Sequence, residues 1–355
     1  MSRRGLRHPR WLRCRGMTLV ELMIGLALGL FLVGVAGTLF VGSRMTFSAQ
    51  SQVGRLQESA RFAAERLGAD LRMAGFRGCK GYGSGTAITS VLSSPGDFQI
   101  DFGRGLWASR HDGSAWVPAL DSSIASLSPA PDRRGDVVTV RRTVGPGWAL
   151  TAAMSAPDAV LNVTPTAAIG RGDLLLVSDC AGSVVLQATN ATPGSDGAIE
   201  HSASGGLSPG NSQLSLGRVF LQDALVHRLA TTTYYLAPSR RSGRTSQLAL
   251  WSFTSPAYAG SSQPQELFTG VERLAVRLGL DTNADGTADA FVTPGQVVDW
   301  LQVVSVETSL LLVSLEDQVS TAPQQVVFDG TTIVPTDRRL RSVVTFTASL
   351  RNSVR

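Results

Sequence analysis

Arg15-Gly16-Met17-Thr18-Leu19-Val20-Glu21 stands at the head of a long apolar run, and the fold follows from how it is read. From Met17 to Gly42 the only charged side chain is Glu21. A carboxylate at the centre of a membrane helix costs roughly 2.5–3.5 kcal/mol on insertion scales, so one retained there implies a function and a cationic partner. The nearest cation that processing could create is a new α-amine at Met17, released by a cut after Gly16. An ordinary secretory signal places its cut site after the apolar core and carries no acid inside it. Here the glycine precedes the core. Two other readings stand beside this one: a plain signal anchor, and a Glu21 that snorkels to the cytoplasmic interface without an assembly role.

Residues 17–42 form a helix about 39 Å long at 1.5 Å per residue, enough to cross a ~30 Å hydrocarbon layer with some tilt. Gly25 and Gly29 form a small-xxx-small pair that lets another helix approach closely. The formal net charge of the 355-residue chain is +5, yet Arg3, Arg4, Arg7, Arg10, Arg13 and Arg15 all precede the apolar run. Without residues 1–16 the chain carries 26 basic and 27 acidic side chains. The basic excess is therefore a topology signal that holds the leader in the cytoplasm and sends the rest across the membrane. A near-neutral mature chain with no basic cluster interleaved with aromatics is not expected to bind nucleic acid.

The helix continues past the membrane. Val53, Leu56, Ala60, Ala63, Leu67, Leu71 and Ala74 recur at spacings of three and four and predict one apolar stripe. Arg55, Glu58, Arg61, Glu65, Arg66, Asp70 and Arg72 are placed on the other faces, and Gly75 is the expected stop. From Gly75 onward Gly, Ser, Thr and Pro punctuate short apolar runs. Strands are predicted over 136–142, 173–179, 183–189, 213–220, 232–236, 247–253, 271–280, 303–314 and 341–351. In the last, Val344, Phe346, Ala348 and Leu350 alternate with polar residues, so one face of that sheet is wet. Residues 190–211 are poor in large apolar side chains and are expected to be an exposed loop. The fold class is α+β. It divides into a leader (1–16), a transmembrane half-helix (17–42), an amphipathic half-helix (43–75) and a β-rich, mostly antiparallel domain (76–355).

Gly16, Met17 and Glu21 resemble the class III signal of type IV prepilins: a short basic leader, a glycine before the scissile bond and a glutamate as fifth mature residue. Residues 55–62, 71–79, 172–180, 270–272, 281–286, 338–341 and 350–352 resemble blocks of the PilW family of minor pilins. The resemblance implies a pilin-like fold, cleavage after Gly16 by a prepilin peptidase, and methylation of the Met17 amine. It implies that Glu21 pairs with the amino terminus of a neighbouring subunit. It implies an inner-membrane, single-pass protein of a Gram-negative bacterium, with a periplasmic domain that ends at the pilus tip. The partners would be other minor pilins, the major pilin and a tip adhesin of the PilY type, in support of adhesion and twitching motility. Two alternatives remain open: an adhesin or ligand-binding module on a pilin stalk, and a J-type pseudopilin of type II secretion.

Cys14 is lost with the leader, which leaves Cys79 and Cys180 as an even pair in an oxidising compartment. Their disulfide is expected; two free buried thiols are the alternative. Asp281, Asn283, Asp285, Thr287 and Asp289 have the oxygen spacing of a calcium loop. The twelfth position is Val292, where a calcium-binding EF-hand has a bidentate glutamate. Asn, Asp and Gly are also turn residues, so a metal-free polar turn explains the same letters. No cofactor is required. His111, His201 and His227 stand apart, and no phosphate-binding loop or nucleophile elbow is present, so an enzyme is not expected.

Overall fold

One helix, α1, runs unbroken from Leu19 to Arg72, 54 residues or about 81 Å at 1.5 Å per residue. The computed structural model describes residues 16–76, 78, 88–203, 206–241, 243–244, 246–256 and 262–352. Two compact units divide the chain, Met1–Ser51 and Gln52–Arg355. In the first, the helix is long and apolar enough to cross a membrane, and none of its most apolar 18-residue stretch is buried. Phe31, Leu32 and Val33 are 68%, 65% and 70% exposed, an arrangement suited to lipid and not to water.

In the second unit the amphipathic turns of α1 have a core to cover. Leu56, Ala63, Leu67, Leu71 and Ala74 are buried, as the stripe requires. Val53 is exposed instead, and Gln52 takes the buried position at that end. Burying a leucine side chain stabilises by about 1.5–3 kcal/mol, so Leu56, Leu67 and Leu71 hold these turns more firmly than helix propensity does. After Arg72 the chain turns at Gly75, whose φ is +68°. A Cβ on Gly105 would lie 2.4 Å from the Gly75 Cα, so the helix end and the first long strand meet at a distance only glycine permits.

The main sheet has nine strands among the described residues. Its longer members are β1 (Leu106–His111), β2 (Val137–Ala149), β3 (Leu174–Ser178), β4 (Ser183–Gln187), β5 (Leu225–Pro238), β6 (Leu248–Ser255) and β7 (Gln265–Thr269). β5 is the spine. One edge of it pairs with β2 from Val138–Tyr234 to Ala149–Leu225; the other pairs first with β3 and then with β6. A second sheet is built from β8 (Val271–Leu280), β9 (Ala290–Val292), β10 (Val303–Val313) and β11 (Arg341–Ser349), in the order β9-β8-β10-β11. Every pairing between these eleven strands is antiparallel; a short strand, Thr89–Ser90, adds a parallel edge to β4. The helix stripe shares one hydrophobic cluster with Val138, Leu236 and Leu250 of the main sheet and Leu274, Leu310 and Leu312 of the second. The α+β class is thus observed.

Two expectations for the β domain fail. Residues 213–220 form no strand, because Gly217 at φ +75° breaks the extended run, and Leu216 and Phe220 are buried without a ladder. Residues 190–211 are not simply an exposed loop: Ala198–Ile199 pairs with Leu161–Asn162, and Ile199, His201 and Asn211 are buried. Asn211 exchanges hydrogen bonds with the Gln187 backbone, which explains how a polar segment comes to be covered.

Candidate functional site

At the start of α1 the backbone N–H and hydroxyl of Thr18 each donate to Glu21 Oε2 at 3.2 Å, and the Glu21 N–H donates to Thr18 Oγ1 at 3.2 Å. This is a capping box, in which side chains at the first and fourth positions satisfy each other's free backbone donors. It places the Glu21 carboxylate over the first turn, on the backbone N–H of Thr18, the residue after Met17. The T-x-x-E signal was legible in the sequence, but the acid's burial cost overshadowed its local role. Gly16, Met17 and Glu21 therefore lie together at one helix end, all exposed.

A second constellation ties the amphipathic turns to the main sheet. Asp70, predicted on an outer face of α1, is only 5% exposed. Its Oδ1 lies 2.9 Å from Arg142 Nε, its Oδ2 accepts from Arg142 Nη2 at 2.9 Å, and Tyr234 donates its hydroxyl to the same oxygen at 2.6 Å. Burial and the Asp70 carboxylate hold the Tyr234 phenol well above its usual range, so it stays a donor. Asp70 sits beside apolar positions at the helix end, and its partners are 72 and 164 residues away in sequence. Nothing local could have revealed it.

The scattered sequence blocks converge here and on the second sheet. Asn352 donates its amide to the Ala74 carbonyl at 3.1 Å, tying the chain's last described residue to the turn that follows α1. Arg341, with 3% of its side chain exposed, pairs with Glu272 and Asp337, each at 2.7 Å.

The loop after β8 closes on itself. Asp281 accepts from the backbone of Ala284 and Gly286 at 2.6 and 2.9 Å, Asp285 from Thr287, and Asp289 from Thr282. These bonds hold the Asp285 and Asp289 carboxyls below their ordinary range. Asn283 Nδ2 donates to both Asp285 and Asp289 at 3.1 Å, occupying the space between the two carboxylates. Among the described residues no group of three or more His, Cys, Asp or Glu side chains is arranged to hold a metal ion. A cation would have to displace the Asn283 amide.

Cys180 is exposed, two residues beyond β3; Cys79 lies outside the described residues. The three histidines among the described residues occupy separate places. His111 meets Trp116 edge to face, His201 Nε2 lies 3.1 Å from the Ala159 carbonyl, and His227 packs on Phe76, its pKa lowered by burial.

Residues 233–352 match the family model described as Type IV Pilus-assembly protein W, and residues 11–37 match the prokaryotic N-terminal methylation motif. Among solved structures, the chain is similar to the type IV-like pilin TTHA1219 from Thermus thermophilus, at 12% identity and a TM-score of 0.34, over 85% of this chain and 99% of that one. No curated protein matches the chain.

Proposed function

We propose, from the premise that this chain belongs to the PilW family and is a type IV minor pilin, that it helps prime and cap pilus assembly within a minor-pilin complex at the tip. The observation that carries this reading is Glu21, the single carboxylate of the exposed apolar stretch Met17–Gly42, which would be the fifth residue of the chain left by a cut after Gly16. A prepilin peptidase cuts after Gly16, and the Met17 amine is methylated. The helix holds the protein in the inner membrane of a Gram-negative cell until assembly, with the β domain in the periplasm. Its partners are other minor pilins, the major pilin and a PilY-type adhesin above them, and the complex supports adhesion and twitching. The family description is one of pilus assembly, a structural role.

Deleting the gene in its host tests this. Surface pili are expected to fall steeply while major pilin accumulates in the membrane, and the protein should be recovered from sheared pili of the parent strain. Normal pilus numbers with lost adhesion would favour the adhesin reading and overturn the priming role.

A Cys79–Cys180 disulfide belongs to the same proposal. A Cβ built on Gly78 would sit 2.5 Å from Ser178 Oγ, so Gly78 lies against the Ser178 side chain. In sequence Cys79 follows Gly78 directly, and Cys180 is two residues after Ser178. The cross-link closes a loop of about 100 residues, worth up to ~4.7 kcal/mol in the chain-entropy model. Non-reducing peptide mapping of periplasmic material should recover the linked peptides; two free thiols would refute the bond.

Calcium at Asp281–Asp289 is proposed as a weak local site, with Kd about 10⁻⁴–10⁻³ M as for extracellular modules. Millimolar calcium should then raise the melting temperature of the mature chain, and Asp285→Ala should abolish the rise. An unchanged melting temperature would leave the loop as the self-bonded turn described above.

A further inference from the structure

Between β1, the turn at 132–135, the bulge of β8 at Arg273 and the hairpin Val326–Phe328/Thr331–Ile333 lies a cleft with unspent positive charge. A cavity of about 170 Å³ and an adjoining one of about 520 Å³ share His111, Arg133, Arg134 and Arg273 in their walls. The floor of the smaller one includes Leu274, Phe328 and Ile333.

Each carboxylate of the cleft is already committed. Asp136 takes Arg110 at 2.7 Å and the Val276 N–H at 2.7 Å; Asp132 takes Arg134 at 2.9 Å; Asp329 takes Arg110 and Arg277, each at 2.8 Å. Glu272, next in sequence to Arg273, is engaged by Arg341. Arg133 and Arg273 are left: neither is hydrogen-bonded or ion-paired among the described residues, although the Arg133 charge acts on the neighbouring Asp132, already held by Arg134. The Arg273 Nε is buried and without an acceptor, a state that folded proteins seldom tolerate unless something else supplies one. The register shift between Val271 and Arg273 on β8 is the kind of irregularity that re-aims a side chain. His111 Nδ1 accepts from the Gly113 N–H at 3.1 Å, so in the neutral ring the proton sits on Nε2, a further donor.

Two free guanidinium groups and one imidazole N–H amount to a site for one oxyanion. They are too few for a polyanion such as DNA, whose binding rests on many phosphate contacts. The apolar floor selects further: it rewards an anion carrying an aliphatic group. We propose that this cleft binds a single carboxylate joined to an apolar side chain, the chemistry of a peptide's C-terminus or of an acidic residue beside an aliphatic one. This goes beyond the minor-pilin reading and does not depend on it.

The test uses the mature chain in detergent, with arginine labelled by ¹⁵N, and follows the arginine Nε–H resonances by NMR. The probes are N-acetyl-leucine, N-acetyl-leucinamide, acetate and inorganic phosphate. N-acetyl-leucine is expected to shift one resonance saturably, with a Kd at least about tenfold below those of acetate and phosphate, the gain expected from burying one aliphatic side chain. The uncharged amide should not bind. Arg273→Gln should remove the resonance and weaken binding about tenfold or more, as expected for loss of a charge-assisted hydrogen bond. Arg133→Gln, at the exposed rim, should weaken binding without changing the melting temperature, which keeps the test intact if Arg273→Gln disturbs folding. Equal binding of phosphate and N-acetyl-leucine, binding of the amide, or undiminished binding by Arg133→Gln would overturn the proposal.

Discussion

Glu21→Ala is expected to leave cleavage after Gly16 largely intact and to lower recovery of the protein in sheared pili by about tenfold or more. A charge pair 4 Å apart is worth ~4 kcal/mol at an effective dielectric of 20, and a third of that is already about tenfold in an equilibrium constant. Alanine, however, also removes the capping box with Thr18, which contributes about 0.5–2 kcal/mol to the helix start. Glu21→Gln separates the two effects. Glutamine keeps the reciprocal cap and loses the charge, so it should fail in assembly nearly as badly as alanine. Normal incorporation of the glutamine variant, in a strain without the parent copy, would assign Glu21 to capping alone.

Asp70→Ala is expected to destabilise the mature chain by about 3–5 kcal/mol, the usual cost of removing one partner from a buried ion pair. The alanine leaves the Arg142 guanidinium, 12% exposed, without its carboxylate, and the Tyr234 hydroxyl without its acceptor. Against a domain stability of ~5–15 kcal/mol this is a large fraction. Urea unfolding followed by tryptophan fluorescence reads it directly. Asp70→Leu combined with Arg142→Met should recover most of the loss, because an apolar replacement of both partners leaves no stranded charge. A loss below about 1 kcal/mol for Asp70→Ala would mean that the pair does not anchor the helix, the value being that of an exposed pair.

The elements legible in the sequence are those whose burial has a period. The stripe Leu56, Ala63, Leu67 and Leu71 is buried because residues three and four apart share a helix face. In β11, Val343, Thr345 and Thr347 are exposed while Ala348 is buried, the alternation a half-wet strand demands. Where periodicity and packing part company, the reading failed. Leu216 and Phe220 are buried from irregular backbone, so their apolar spacing imitated a strand. Strand β7 and the hairpin Val326–Phe328/Thr331–Ile333 are partly exposed and only three to five residues long, too short to show a period. At the candidate site, Gly16, Met17 and Glu21 were visible because a lone acid in an apolar helix is energetically conspicuous. Asp70 and Arg273 were not, because an ionisable residue inside a fold is identified by a partner, or a missing partner, that only the folded chain supplies.

Mass spectrometry of the mature N-terminus, after co-expression with a prepilin peptidase, tests the central claim most directly. The chain is expected to begin at N-methyl-Met17, with Glu21 as its fifth residue. A chain that begins near residues 43–50, after the apolar run, or one that retains residues 1–16 in the presence of active peptidase, would contradict it.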